Sequence, residues 1–367
     1  MSKKETKNTV KPHTEAKLKF YVHYLERYLP VLFKSPFINK INIYDMFCGQ
    51  AIYDDGKESG AVRAFNKIKD VQRFNPSNNT EITLTLNDLS KKRINETKEW
   101  IELQEKTFVT CTHNEDATGL IRKLIEGINN KQNLDTRNLV FIDPYGYKEI
   151  DKSLIEGLLE NGRTEVIVFL PINQMRRFKD KTQGENIEKD FLPLKKFVEQ
   201  FNINVDNINS DIDLIREIEQ SLTFEDDNFA TSYHIKNQRG NHYALFFMTN
   251  HIYGLEKIIE VKWALDFQQG SGFDNTVQID LFLEKQKTEE LEEKLLMYLK
   301  YNRSNNDIYK WTLQQGFMPK HTNEILNRLK KHNKIDVEYL LDAKSGFHLN
   351  YKNYKNELIK TKIQLIL

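Results

Sequence analysis

The feature that most constrains this chain is an alternation of short β-prone segments with amphipathic helical segments over its first half. Apolar residues recur at helical spacing after each of five segments rich in β-branched and aromatic residues. The five predicted strands end near Asp45, Asp88, Thr112, Asp143 and Pro171. Strands that alternate with helices form a parallel sheet covered on both faces. The sequence therefore predicts an α/β protein with a doubly wound sheet.

Two further segments follow the five predicted strands. A charged, Asn-rich helical insertion is predicted at about residues 173–223, and two adjacent strands joined by a tight turn at Asn237–Asn241 come after it. A closing antiparallel hairpin after five parallel strands distinguishes class I S-adenosylmethionine (AdoMet) methyltransferases from ordinary dinucleotide-binding folds. We therefore predict a Rossmann-like class I methyltransferase fold for residues 1–284.

The last part of the chain, residues 285–367, has a different pattern. Three helical segments precede two strand-like segments at about residues 335–340 and 346–352, which is the order of a winged helix. The third predicted helix carries Arg328, Lys330 and Lys331. Such a helix can neutralise phosphates or enter a major groove. The alternatives are a solvated basic face or a protein-binding winged helix.

Composition excludes several classes of protein. A formal net charge of +1 over 367 residues argues against a uniformly basic nucleic-acid binder, although a local basic face remains open. The two cysteines, Cys48 and Cys111, form no CxxC pair, which excludes a disulfide scaffold and a self-contained zinc or iron–sulfur site. No apolar run is long enough for a membrane span. We expect a cytoplasmic protein with no metal site and no membrane contact.

Acidic residues follow four successive predicted strands: Asp45, Asp88, Asp116 and Asp143. Ligands of open α/β sheets bind beyond the carboxyl ends of the strands, where the strand order reverses. An acid with Phe47 and Gly49 after the first strand can meet the amino-acid end of AdoMet, because glycine lets the backbone approach a ligand. The second and third acids are expected at the ribose and the adenine, and the fourth beside the reacting methyl. Each acid taken singly can instead cap a helix or lie in a solvated turn.

Two phosphate-binding signatures are missing. After Gly49 come Gln50 and Ala51, so the first loop lacks a full G-x-G-x-x-G, and the chain has no G-x-x-x-x-G-K-[ST]. Nucleoside triphosphate hydrolysis is therefore not expected. AdoMet carries no pyrophosphate, so the missing glycine matters less for this cofactor.

Four short motifs resemble those of the three-Cys-motif partner proteins. They are Asp45–Gly49, Ser59–Ala61, Phe141–Gly146 and Tyr243–Phe247. The resemblance covers roughly residues 15–266, and Trp263 matches a Trp-containing helix of that family. It implies a methyltransferase-like domain that works with a separate protein, whose three clustered cysteines look like an iron–sulfur, radical-AdoMet-type site. Where the family has G-P-G in its first loop and G-S-P at the start of the next helix, this chain has Gly49-Gln50-Ala51 and Gly60-Ala61-Val62.

The residues after the fourth predicted strand discriminate among reactions. DNA cytosine-C5 methyltransferases need a Pro-Cys nucleophile there, and this chain has Asp143-Pro144-Tyr145 instead, so we reject that class. Amino-methyltransferases of adenine or cytosine use [DNS]-P-P-[YFW], whose residue types are preserved here with the aromatic one place early. We therefore predict N-methylation of a nucleic acid, DNA or RNA, with Asp143, Pro144 and Tyr145 as catalytic residues.

The main alternative comes from another functional class. The protein can be a non-catalytic component that binds AdoMet or nucleic acid for its three-cysteine partner, which then performs the reaction. A role in defence against phages or mobile elements fits this alternative.

Overall fold

The computed structural model describes residues 9–76, 79–129, 134–144, 146–183, 187–224, 228–237, 239–266, 270–274 and 283–366. The chain divides into two compact units, of which the first runs to His251 and also takes Phe273 and Asp274. The second comprises Ile252–Gly272 and the described residues from Leu283 onward. Within these ranges no helix has the length and apolar character needed to cross a membrane.

The first unit is built on an eight-stranded sheet. Its strands are β1 (Lys40–Asp45), β2 (Glu81–Asn87), β3 (Val109–His113), β4 (Thr136–Ile142), β5 (Thr164–Leu170), β6 (Phe229–Lys236), β7 (His242–Thr249) and β8 (Gly272–Asp274). They lie in the order β3-β2-β1-β4-β5-β7-β6-β8, with β1 to β5 parallel and β7 antiparallel between β5 and β6. This is the class I methyltransferase order, and the predicted fold class is confirmed. The order reverses between β1 and β4, which places the expected ligand site there.

Five helices accompany the parallel strands: α1 (Pro12–Phe33), α2 (Gly60–Arg73), α3 (Lys91–Glu102), α4 (Ala117–Ile128) and α5 (Lys152–Leu159). Side-chain caps fix the start of three of them, with Ser59, Asp116 and Asp151 accepting N–H groups of the first turn. Helix α1 contains Pro30 and continues past it to Phe33. Pro30 lies in the last turn, where it removes only one helical hydrogen bond.

Helix α1 packs across the sheet through a stripe of large side chains. Tyr21 stacks on Phe141 of β4 with ring centroids 4.5 Å apart, and Tyr24 meets Phe247 of β7 edge-on at 4.9 Å. The Tyr24 hydroxyl also donates to the buried carboxylate of Glu165. This stripe fixes the position of the first turns of α1 relative to the carboxyl edge of the sheet.

The predicted helical insertion is present between β5 and β6. It contains α6 (Ile172–Phe178), α7 (Leu192–Gln200) and α8 (Asp211–Ser221). Asp211 accepts from Arg176 Nε at 2.5 Å and lies 2.6 Å from His242 Nδ1, so one carboxylate joins α6, α8 and β7. The hairpin turn also forms as predicted, with Asn237 N–H donating to Asn241 O at 3.0 Å.

The second unit contains five helices and a three-stranded sheet. In chain order these are α9 (Ile252–Leu265), α10 (Leu283–Tyr298), β9 (Arg303–Ser304), α11 (Asn305–Gln314), α12 (Pro319–Lys331), β10 (Ile335–Tyr339), α13 (Tyr351–Lys355) and β11 (Thr361–Leu365), with strand order β10-β11-β9. The strand predicted at about residues 346–352 is wrong. Asn350 accepts the N–H of Asn353 and starts α13 there, and the strand that pairs with β10 lies further on.

The predicted domain boundary at residue 284 also differs from the main boundary between the compact units, which follows His251. Helix α9 was placed in the methyltransferase domain, yet its side chains pack within the second unit. Trp263 Nε1 donates to Gly316 O at 3.0 Å, and the Tyr309 hydroxyl donates to Glu256. Apolar periodicity identifies a helix but not which neighbour it covers, so the sequence pattern left this choice open.

Candidate functional site

A cavity of about 340 Å³ opens in the first unit at the carboxyl ends of β1 and β4. Its wall includes five of the predicted site residues from these strand ends, which are Asp45, Phe47, Gly49, Asp143 and Pro144. The rest of the wall includes residues of α1, of the ends of β5 and β7, and of the first turns of α2 and α3, where Gly60 and Arg93 lie. The cavity therefore lies where the reversal of strand order predicts a ligand site.

The loop after β1 forms the floor of the cavity. Gly49 has φ +69°, a left-handed conformation that other residues adopt only with strain. Asp45 is 2% exposed and accepts the N–H of Phe47 at 3.2 Å. Burial, together with the smaller effect of the nearby Asp143 carboxylate, raises the pKa of Asp45 to about 7. An ionised Asp45 lacks the solvation it has in water, so a cationic ligand group beside it would be stabilised.

Asp88 supports this loop from the end of β2. Its carboxylate accepts the N–H of Gly49 at 3.1 Å and that of Ser90 at 2.7 Å. The side chain is buried and is not part of the cavity wall. In the structure Asp88 therefore holds the glycine loop in place, and its contact with a ribose stays a prediction.

Asp116 lies at the start of α4. Its carboxylate accepts the N–H of Gly119 at 2.9 Å and caps the helix. The residue is exposed and does not line the cavity. The sequence alternative of a helix cap is therefore realised, and the adenine contact stays a prediction.

The residues that follow β4 form another part of the site. Oδ2 of Asp143 forms an ion pair with Nζ of Lys17, and Asp143 Oδ1 has no partner among the described residues. Pro144 adjoins it in the wall, whereas Tyr145 lies outside the described residues. One carboxylate oxygen is thus held by a lysine while the other is available to a ligand.

Sequence reasoning missed the residues that α1 brings to the cavity. Lys17 is only 8% exposed, and its ammonium lies 4.6 Å from the ring centroid of Phe169 as well as on Asp143. His13, one turn earlier, stacks on Tyr243 of β7. The sequence did contain a signal for Lys17. This lysine precedes Tyr21, Tyr24 and Tyr28 at helical spacing, on a helix face that is otherwise apolar and buried.

The predicted basic residues of the second unit lie on α12. Arg328 forms an ion pair with Glu292, and Lys330 donates to the Tyr339 hydroxyl at 2.7 Å. Lys331 is exposed. Two of the three cations are thus already engaged by neighbours within their own unit, and their contact with nucleic acid stays a prediction.

A scan against protein-family models and a search of curated proteins found no match. Solved structures do match. An O-methyltransferase from Bacillus cereus in complex with SAH is 14% identical over 66% of this chain and 83% of its own, with a TM-score of 0.34. The O-methyltransferase TomG from Streptomyces achromogenes, in complex with SAM, is 10% identical over 66% and 92%, also at 0.34. Loganic acid methyltransferase with SAH is 11% identical over 62% and 78%, at 0.28.

The assignment of the fold rests on the strand order and register rather than on these matches. Among the residues that the structure describes, no group of three His, Cys, Asp or Glu side chains is arranged to hold a metal ion. The site is thus a cavity whose wall contains the buried Asp45, the half-buried Asp143, the buried Lys17 and several aromatic rings.

Proposed function

We propose that the first unit is an AdoMet-dependent methyltransferase that binds its cofactor in this cavity and methylates an exocyclic amine of a nucleic acid. The observation that carries the proposal is the meeting of Asp45, Gly49 and Asp143 in one cavity at the reversal of strand order. Asp143 lies 94 or more positions from Asp45 and Gly49 in the chain and follows a different strand. The fold therefore brings together the acids that the sequence pattern singled out.

The residues present fit the cofactor. Asp45 offers a buried carboxylate to the ammonium of the methionine end, and the left-handed Gly49 leaves the loop without a side chain at this point. Asp88 would hold the ribose in addition to the loop, and Asp116 would face the adenine. When bound, AdoMet supplies a methyl group activated by a positively charged sulfur.

The acceptor amine would be held by Asp143 and Pro144. Lys17 fixes Oδ2 of Asp143, so Oδ1 can accept an N–H of the amine and orient the nitrogen toward the methyl. Bound AdoMet would supply the methyl group to this nitrogen and leave as S-adenosylhomocysteine, and Asp143 would take the amine proton and pass it to water. We expect Tyr145 to stack on the base, as the motif predicts.

One observation favours the alternative, a binding component without activity of its own. The Lys17–Asp143 ion pair occupies part of the carboxylate that the reaction would use. In this case a three-cysteine iron–sulfur partner protein would perform the reaction, in a defence-type system. When the alternative binds AdoMet, the two candidates share the cofactor site. They then differ in whether this chain itself catalyses methyl transfer.

Incubating the full chain with methyl-labelled AdoMet and mixed DNA and RNA separates the two candidates. Label transferred to nucleic acid by the purified chain supports the enzyme. Binding of labelled AdoMet without transfer, in the absence and presence of the partner protein, supports the binding component. A chain that neither binds nor transfers label contradicts the enzyme and the AdoMet-binding component, and leaves only a component that binds nucleic acid.

The pKa of Asp45 predicts how cofactor affinity depends on pH. Only the ionised carboxylate attracts the ammonium group, so affinity for S-adenosylhomocysteine (SAH) should rise as pH increases through about 7. Between pH 6 and pH 8 we expect a rise of about tenfold. His13, whose pKa burial lowers to about 4, does not titrate in this window. Calorimetric titration at both pH values checks the slope, and Asp45→Asn should remove it. An equal slope in Asp45→Asn would refute the contact.

The basic face of α12 predicts a salt-dependent contribution to nucleic-acid binding. Lys330→Gln with Lys331→Gln removes two cations, so the slope of log affinity against log salt should fall by roughly 1–2 for single or double strands. The matched control is Lys98→Gln with Lys106→Gln, two exposed lysines of the first unit. Fluorescence anisotropy at four salt concentrations measures the slopes. Equal slopes in the two double variants would assign α12 to protein contacts instead.

A further inference from the structure

Three aromatic rings stack in the wall of the cavity. Phe169 of β5 lies 5.4 Å from Tyr243 of β7 with an interplanar angle of 10°, and Tyr243 lies 4.7 Å from His13 of α1 with an angle of 5°. Phe169 pairs with Leu245 in the sheet, so Tyr243 is its diagonal neighbour on the same face. The two sheet residues form a fixed aromatic surface, and His13 is the ring placed on it by the helix.

His13 forms the outer ring of this stack. Among the described residues neither nitrogen of His13 has a hydrogen-bond partner, and burial lowers its pKa to about 4, so the ring is neutral at pH 7. Tyr243 is only half-buried, whereas the residues that follow it, Ala244–Met248, are fully buried. Tyr243 therefore lies in the cavity wall, with the ring of His13 stacked on it, rather than completing the core.

The position of Tyr243 separates it from the predicted cofactor ring. The adenine is expected beyond β2 and β3, and β7 is four strands away from β2 in the order β2-β1-β4-β5-β7. At about 4.8 Å per strand this is roughly 19 Å. Asp143, by contrast, follows β4 and is held by Lys17, one helical turn from His13. A ring on Tyr243 would thus lie on the acceptor side of the site.

We propose that Tyr243 is the platform on which the acceptor base stacks, and that the ring of His13 occupies this place until the base displaces it. The proposal rests on the function proposed above and specifies its substrate as a planar heteroaromatic ring taken from an unpaired or flipped nucleotide. Lys17 then has a double role, because it contacts Phe169 under the platform and holds the carboxylate that receives the amine. Stacking on an aromatic side chain accepts any base, so the choice of base falls to the polar groups around Asp143.

The test uses the full chain, saturated with SAH, and a single-stranded oligonucleotide that carries 2-aminopurine, whose fluorescence is quenched by stacking. Tyr243→Ala should weaken binding by about tenfold or more and lessen the quench, since one of the two aromatic rings expected on the base is lost. Tyr243→Phe should keep both within about threefold. His13→Ala should tighten binding, because no ring has to be displaced. Phe74→Ala, which removes an 82% exposed ring elsewhere in the unit, is the matched control.

Separate titrations with SAH distinguish failure of this inference from failure of the proposed function. Wild-type protein that does not bind SAH contradicts the proposed function. If SAH binds and Tyr243→Ala retains the affinity and quench of wild type, only the platform is refuted. Loss of SAH affinity in Tyr243→Ala would show that the cofactor's own adenine uses this ring, and would also overturn the proposal.

Discussion

Replacing Asp143 by Asn is expected to lower methyl transfer by about 10²-fold or more without weakening SAH binding. The amide keeps an oxygen that can accept from Lys17 but leaves only an N–H group where Oδ1 should accept from the amine. The amine is then no longer held in line with the methyl. Transfer of label from AdoMet to nucleic acid under single-turnover conditions measures the effect.

The control for this experiment is the stability of the variant. Asp143→Asn removes an ion pair whose side chains are 11% and 22% exposed, so thermal unfolding of the two proteins must be compared in parallel. A variant that is folded, binds SAH and turns over at the wild-type rate would remove Asp143 from the reaction. The binding-component alternative would then be the better account.

Replacing Asp88 by Ala is expected to weaken SAH binding by about 1.5–3 kcal/mol, which is roughly a factor of 10 to 150. Two losses contribute. The predicted ribose contact disappears, and the Gly49 and Ser90 N–H groups lose the carboxylate that accepts from both. Isothermal titration of the full chain provides the measurement.

Asp88→Asn separates the two contributions. Its single carbonyl oxygen can keep one of the two backbone contacts, so we expect an affinity between those of wild type and Asp88→Ala. If both variants bind SAH as wild type does, Asp88 supports neither the loop nor the cofactor. If they are equally weak, the full carboxylate is required.

The sequence predicted the sheet well because its signals are local. Strands β4 and β5 each contain an uninterrupted apolar run, at residues 139–142 and 166–170, as expected for strands buried on both faces. The predictions failed where a local sequence pattern is compatible with two different structures. Residues 346–352 alternate like a strand, but the Asn350 cap starts a helix within them.

Only the part of the cavity wall that lies at the ends of the parallel strands could be predicted from the sequence. Asp45, Gly49 and Asp143 end parallel strands, so their meeting follows from the topology. Lys17 is 126 residues from Asp143 in the chain, and Tyr243 reaches the site through an antiparallel strand that follows the insertion. Such contacts depend on how α1 and β7 pack, and no spacing within either segment encodes them.

The central claim is that the cavity at the ends of β1 and β4 is the AdoMet site. The most direct measurement is a crystal structure of the full chain grown with SAH. The account predicts SAH in this cavity, with its amino group at Asp45 and its methionine end along the Gly49 loop. SAH bound at another place, or an empty cavity at a concentration that saturates binding in solution, would contradict it.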